Sequence, residues 1–436
     1  MRYRGFGHAK RGYQTPRTNQ VKTLEDHLQQ QVLAKQFCPP PAWLLRTTRT
    51  HEPTKLTISL NTPRAAMAPV RPKDRKARSK PLPVDLLLRD ATAKVQVGDH
   101  EGAIKLANRA LETTGKGGDF ELAALNLLGL AHIELGDIDV ARPVLLRAVE
   151  IDGDGSHDEA LGGGPEKFLW LAQISEEGGQ DSVDWYEKGA VVLRRQIAEL
   201  SAKASRTEQD EAALGEKRQS LAGVLCAVAE VYMTDLSWEE DAEGRCEALV
   251  TEATMVCPAS AETWQTVANV RISQERIEDA KGALGRSIEV WKDLPEGDIK
   301  VPEFATRVSL ARLLMEVGME PEAMWVLERL VIEDDESVET WYLGGWCQYL
   351  YGEKAAEGAA KGESKESVWR AARLWLTQCL KLFKLQDYED DRLGEHANEL
   401  LQAINKELGP MAEGEEDEDA WEDDEDDDED GDEEMS

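Results

Sequence analysis

From about residue 83 to 408, apolar residues recur at three- and four-residue spacing, and Leu, Ala and Glu dominate. No stretch alternates apolar and polar in the two-residue rhythm of a strand, so the pattern predicts short helices in series. Residues 1–80 are rich in Arg and Pro and hold no sustained apolar period. Residues 411–436 are almost wholly acidic. Neither flank carries enough apolar surface to offset the entropy of ordering it, so both are expected to be disordered.

The helical region repeats itself. "GDHEGAIKLANRALE" (98–112) and "GDIDVARPVLLRAVE" (136–150) share Gly-Asp, an Ala five after the Gly and another Ala seven later. That is the second helix of a tetratricopeptide repeat (TPR), whose 34-residue pattern joins W-x2-L-G-x2-Y to A-x3-F and Pro. The first-helix half recurs at Leu125, Leu128 and Gly129, and again at Phe168, Leu171 and Ala172. It returns at Leu225, Val228, Ala229 and Tyr232, then at Trp264, Val267 and Ala268. Leu310 and Ala311, then Trp341, Gly344 and Gly345, complete the series, and a first unit is anchored on Leu87 and Ala91. A small residue at each crossing lets two helices approach within roughly 8–10 Å, and the large residue nearby fills the neighbouring groove. One pair cannot bury its own apolar face, so pairs must stack. The expected fold is all-α: a TPR-like right-handed superhelical solenoid of about seven helix pairs over 81–389. The amphipathic run "DDRLGEHANELLQAINKEL" predicts a capping helix within 390–410.

Three inserts break the spacing. The Gly-rich stretch near 150–165 and the segment near 352–366 read as loops. The polar segment near 200–216 is helix-compatible and is expected to lengthen the helix before it. "GGGPEK" lacks both a preceding strand and a Ser or Thr after the Lys, which argues against a phosphate-binding loop. It reads as a loop ending in a Pro at a helix start.

Charge is strongly uneven. Residues 1–80 hold 17 Lys and Arg against 4 Asp and Glu, the central 81–410 hold 34 against 63, and 411–436 hold 18 acids and no base. Such a surface repels phosphate backbones and anionic lipids, which points away from nucleic acid and membrane and toward a cationic protein. The cluster "RPKDRKARSK" (71–80) fits a nuclear-import signal or a solvated basic tail. Met67 opens "MAPVRPKDRK", a plausible true start that would leave 1–66 outside the mature protein; an Arg-rich mitochondrial transit peptide is the other reading. The six Cys form no C-x-x-C pair and are expected to be reduced, mostly buried thiols. The seven His are scattered, and no hydrolase, metalloprotease, Walker or dinucleotide motif appears. The expectation is a non-enzyme with no cofactor and no metal site.

In this repeat type the first helix of each pair lines the concave face. Positions at fixed offsets from the small residue collect Asp85, Glu134, Glu166, Glu176, Glu177, Glu230, Glu262, Glu316 and Glu339, against Arg312 as the one base. Tyr342, Trp346 and Tyr349 add an aromatic row in the last pair. Two readings stand. The face is a solvated acidic surface, or it is a partner-binding groove for an extended Lys/Arg-rich segment, with carboxylates for the cations and rings for stacking. The aromatic row fits either that groove or packing against the capping helix. A carboxylate clamp for acidic peptides needs Lys, Arg and Asn here; the matching positions offer only Asn126, Asn269 and one Arg.

"LLGLAHIELGDIDVARPVLLRAVEID", "PEKFLWLAQISEEGGQDSVDWYEKGA" and "MVCPASAETWQTVANVRISQER", followed by the acidic terminus, resemble the fungal TPR family of dedicated assembly chaperones for the fourth large-subunit ribosomal protein. The resemblance covers roughly 81–436, and residues 1–66 depart from it. It implies a monomeric chaperone of cytoplasm and nucleus that holds one newly made ribosomal protein by its long basic internal loop. It also implies that the chaperone keeps its client soluble, contacts no nucleic acid and escorts the client to the pre-ribosome. The alternatives are a TPR scaffold subunit of a nuclear complex and a histone chaperone.

Overall fold

The structure, a computed structural model, describes residues 83–295, 297–298, 300–356 and 364–409. Segments 1–80 and 411–436, with Cys38 and the basic cluster 71–80, lie outside the described residues. Among those residues the chain forms fifteen α-helices and no strand. It divides into two compact units, one up to Gly153 with His157–Gly163, the other Asp154–Ser156 and everything from Gly164 on.

The first unit holds α1 (Val84–Gln96), α2 (His100–Thr114), α3 (Glu121–Glu134), α4 (Ile138–Ile151) and a 3-10 turn, Glu159–Leu161. Each helix packs on the next, and α1 also reaches α3. Leu87 and Ala91 are buried against α2, whose inward face is the small set Ala103, Ala107 and Ala110. Asp99 caps α2 by accepting the Gly102 N–H at 2.9 Å, which satisfies a donor the helix cannot. Gly129 sits where any Cβ would overlap the Leu145 side chain, so the α3–α4 crossing depends on its absence. Two acids are buried here, Glu121 and Asp152, and the Glu121 carboxylate takes the Gly117 N–H and Arg147. The Gly117 hydrogen bond, then Arg147, hold its carboxyl below the usual range against the opposing pull of burial.

The second unit begins with α5 (Glu166–Gln173), α6 (Gly179–Ser201), α7 (Glu208–Met233) and α8 (Ala242–Val256). It continues with α9 (Ala261–Ser273), α10 (Ile277–Glu289), α11 (Phe304–Glu316) and α12 (Glu320–Glu333). It ends with α13 (Val338–Ala356), α14 (Lys365–Gln386) and α15 (Asp391–Leu408). Each packs on the next, and α7, α9, α11, α13 and α15 also touch in succession. Alternate helices therefore form one continuous row, the arrangement that TPR-like pairs adopt when first helices stack on first helices. The all-α, TPR-like reading holds.

One five-residue device sets two of these pairs. Ser260-Ala-Glu-Thr-Trp264 and Ser337-Val-Glu-Thr-Trp341 recur at equivalent places. In each, the Ser hydroxyl accepts the N–H of the Thr. In each, the Trp indole donates to a carbonyl six residues upstream, Pro258 at 2.9 Å and Asp335 at 2.7 Å. The N-terminal cap and the indole strap together fix how the chain enters each first helix. Larger rings fill the seams. Trp291, fully buried, lies 5.1 Å from Trp325, with Arg329 over both. Gly344 and Gly345 leave room for Trp375 and Leu376; a Cβ on Gly345 would stand 2.6 Å from Leu376 Cγ, and one on Gly344 would enter the Trp375 ring.

One expectation changes. The segment near 200–216 does not lengthen the helix before it. α6 stops at Ser201, and α7 starts at Glu208 behind a Thr207–Asp210 capping box. That reciprocal cap closes two backbone donors at a new helix start, so the insert extends the following helix instead. The Lys of "GGGPEK" is turned inward. Lys167 is fully buried, donates to the Gly164 carbonyl at 2.8 Å and lies 4.6 Å from the Phe168 ring centroid.

Candidate functional site

In the first unit, Asp85 is exposed in the first turn of α1, and Glu134 is half-buried as the last residue of α3. Asn126 donates its amide to the Gly162 carbonyl at 2.7 Å, so that donor holds the chain's own loop.

The second unit gathers the rest. Glu230 is exposed in the last turn of α7; Glu262 is half-buried at the second position of α9. Glu316 is exposed at the end of α11, and Glu339 is half-buried at the second position of α13. These four therefore stand on four successively touching helices. Glu230 and Glu262 both bear on the Cys226 thiol between them. Burial pushes that thiol up to about 12, hydrogen bonds from Thr266 and Thr263 oppose the shift, and the two carboxylates add to it. Arg312, the lone base expected on this face, is bound to Glu339 of the next helix. Its charge is thus spent within the row.

Glu166 opens α5, while Glu176 and Glu177 are exposed in the turn from α5 to α6. That turn lies against the α7–α8 turn: the Gly179 N–H donates to Asp235 Oδ2 at 3.2 Å. Residues 174–181 and 234–243 hold no Lys or Arg between them. Their contact sets the turn that carries Glu176 and Glu177 against the turn that carries Asp235, Glu240 and Asp241; Trp238 in the second turn is 75% exposed, with its indole N–H on the Asp235 carbonyl at 3.0 Å. Trp238 was not among the residues the repeat offsets select, because it lies in a turn. The run of acids around it in "DLSWEED" was the one available signal.

The aromatic row is engaged by its own chain. The Tyr342 hydroxyl lies 2.7 Å from His396 Nδ1 on α15, and the Trp346 ring meets the same imidazole edge-on at 5.2 Å. Tyr349 stacks on Trp369 of α14 at 4.8 Å. These rings pack against the final helices and remain half-buried. Burial drives the Tyr342 hydroxyl up and the His396 imidazole down from 6.5, with Glu399 opposing the latter. A histidine held neutral in the fold contributes stability that is present above about pH 6.5. It is lost as pH falls, because the unfolded chain protonates first. Protection factors of the α15 amides, which are corrected for the slower intrinsic exchange at lower pH, are therefore expected to fall between pH 7.5 and 5.5. A His396→Asn variant should lack most of that fall; an equal response in both forms would show that His396 is not its cause.

The thiols of Cys226, Cys246, Cys257, Cys347 and Cys379 are free. Burial raises each, with Cys379 reaching about 12, which disfavours the thiolate form. Among the described residues, no group of three His, Cys, Asp or Glu converges as metal ligands do. No described helix is long and apolar enough to cross a membrane. A cavity of about 510 Å³ at α6, α7 and α8 is lined by Arg194, Arg218, Leu221, Glu252, Met255 and Pro258 among others, and offers no nucleophile paired with a base.

No protein-family model matches the chain. A curated protein of Emericella nidulans, described as a probable assembly chaperone of rpl4, is 47% identical over 353 residues, covering 77% of this chain and 87% of the relative. One of Schizosaccharomyces pombe with the same description is 32% identical over 340 residues, covering 78% and 96%. A solved structure described as the assembly chaperone of RpL4 (Acl4), residues 1–338, is 58% identical with a TM-score of 0.59, covering 64% of this chain and all of that one.

Proposed function

Because this chain belongs to the family of fungal assembly chaperones of ribosomal protein L4, we propose that it holds newly made Rpl4 by a basic, extended segment laid along the carboxylate row of its second unit. A chaperone of this architecture works by binding rather than by catalysis. The observation that carries the proposal is the row itself: Glu230, Glu262, Glu316 and Glu339 on touching helices, with Arg312 tied to Glu339. A ribosomal protein loop that folds only on RNA is cationic and unstructured without it. Free, it binds any polyanion and aggregates. Carboxylates spaced along stacked helices stand in for phosphates, accept Arg bidentately and keep the loop soluble. RNA carries far denser charge and releases counterions on binding, so the pre-ribosome can take the client over. The basic cluster 71–80 suits carriage into the nucleus, giving a monomeric escort of cytoplasm and nucleus that needs no nucleic acid of its own.

The test is purification of the tagged chain from fungal extract, with and without nuclease, followed by crosslinking mass spectrometry. The expected result is one stoichiometric ribosomal protein, retained after nuclease, with crosslinks from its basic loop to α7, α9 and α11. Several non-ribosomal subunits, purified histones bound equally well, or crosslinks confined to α8, α10 and α12 would each overturn the proposal. The acidic turn pair supplies a finer prediction. Trp238→Ala is expected to weaken client binding by about 2–5-fold, the worth of one exposed guanidinium–indole contact, read by calorimetric titration. An unchanged affinity would place Trp238 outside the contact.

A further inference from the structure

The outer face of α14 reverses the charge of the body around it. The helix carries Lys365, Arg370, Arg373, Lys381 and Lys384 against a single acid, Glu366, whereas residues 81–410 hold 34 bases against 63 acids. Arg370, Lys381, Lys384 and Leu385 are exposed, and half-buried Leu374 and Thr377 fall between them. Steps of four, three, four and three residues from Arg370 to Lys384, with Leu385 four past Lys381, place all of these on one stripe. The stripe faces away from Val368, Ala372, Leu376 and Cys379, which pack inward. Arg370, Lys381 and Lys384 make no ion pair among the described residues, and Leu385 is 78% exposed. This is an uncovered cationic and partly apolar helix face on an acidic protein.

We propose that the stripe docks the chain's own acidic segment 411–436. Three observations select that occupant. The described chain ends at Gly409, whose carbonyl accepts Arg373 Nη1 of α14 at 3.2 Å, so its last described residue lies against the helix that carries the stripe. The segment has 18 acids, no base, one aromatic residue, Trp421, and two methionines, Met411 and Met435, to match the stripe's cations and leucines. Its reach suffices: Arg370 to Lys384 is roughly 21 Å along the helix, and a dozen extended residues span roughly 40 Å. Tethering also gives the segment an effective concentration of about millimolar order, which no free polyanion matches at ordinary abundance. Docking parks the segment's charge at the end of the second unit and releases it to any polycation that competes with the stripe. The inference concerns the free chaperone and does not depend on which client it holds.

The experiment is zero-length carbodiimide crosslinking of the full chain, mixed from light- and heavy-isotope preparations and read by mass spectrometry. Lys381 and Lys384 are expected to dominate lysine crosslinks to 411–436, within one isotope label. Arg370→Glu, which leaves both reporters in place, is expected to cut those crosslinks at least about threefold, as is raising salt to about 0.5 M. Arg370 is exposed, so unchanged far-UV circular dichroism should accompany that loss. Crosslinks spread evenly over exposed lysines such as Lys105 and Lys188 would overturn the proposal. So would crosslinks joining light to heavy chains, which would put the segment on a second copy. A single-stranded RNA oligonucleotide that binds the intact chain and loses affinity in R370E would assign the stripe to nucleic acid instead.

Discussion

Lysine at both Glu230 and Glu262 is expected to weaken binding of a Lys/Arg-rich Rpl4 segment by about 30–100-fold. The two carboxylates stand on touching helices and bear on one thiol, Cys226, so both can meet the same stretch of a bound chain. A surface charge pair contributes about 0.5–1 kcal/mol. Reversal removes two attractions and adds two repulsions, about 2–3 kcal/mol, which is one and a half to two decades in affinity. The effect should shrink steeply by about 0.5 M salt, since the Debye length falls with ionic strength. The control is Glu278→Lys with Glu289→Lys, the same charge change on α10, a second helix of its pair. An equal loss in the control would mean that net charge alone holds the client, and the row would no longer explain binding.

Gly344→Ala is expected to lower the melting temperature of the chain by about 5–10 °C, while Gly285→Ala raises it slightly. The two substitutions add the same methyl group to a helix. At Gly344 the new Cβ would enter the Trp375 ring, which is itself buried and packed 4.8 Å from Trp341. Forcing an atom into such a seam costs about 2–3 kcal/mol. At Gly285 nothing lies within 4 Å, so the methyl group only restricts the unfolded chain and stabilises by about 0.5–1 kcal/mol. Differential scanning calorimetry separates them. If both variants melt like the parent, the α13–α14 crossing does not depend on a bare backbone, and the packing account of the small positions is wrong.

That contrast shows why the repeats could be read from residues alone. Two helices that cross at close range need a small residue at the crossing, and the requirement is met by one position on each helix. Gly129, Ala229, Ala268, Ala311 and Gly345 were therefore visible without coordinates, and all of them are buried. Caps were visible for the same reason in principle. Thr207 and Asp210 sit three apart, yet every neighbouring residue tolerates a helix, so the break at 202–207 was hidden beneath continuous propensity.

The amino-acid order by itself determined the helix-pair architecture, the acidic character of the first helices and the family resemblance, because each depends on spacing or composition within a single element. Only the tertiary structure decided which of those side chains face outward. Tyr342 and Trp346 were legible as a row at helical spacing, but that His396 of α15 meets both rings and leaves them half-buried was not. Trp238 lies outside the repeat period and joins the acids of a turn some sixty residues earlier only because the Gly179 N–H reaches Asp235. Partnering across elements is set by how stacked pairs bring distant turns together, and no local pattern of residues encodes that distance.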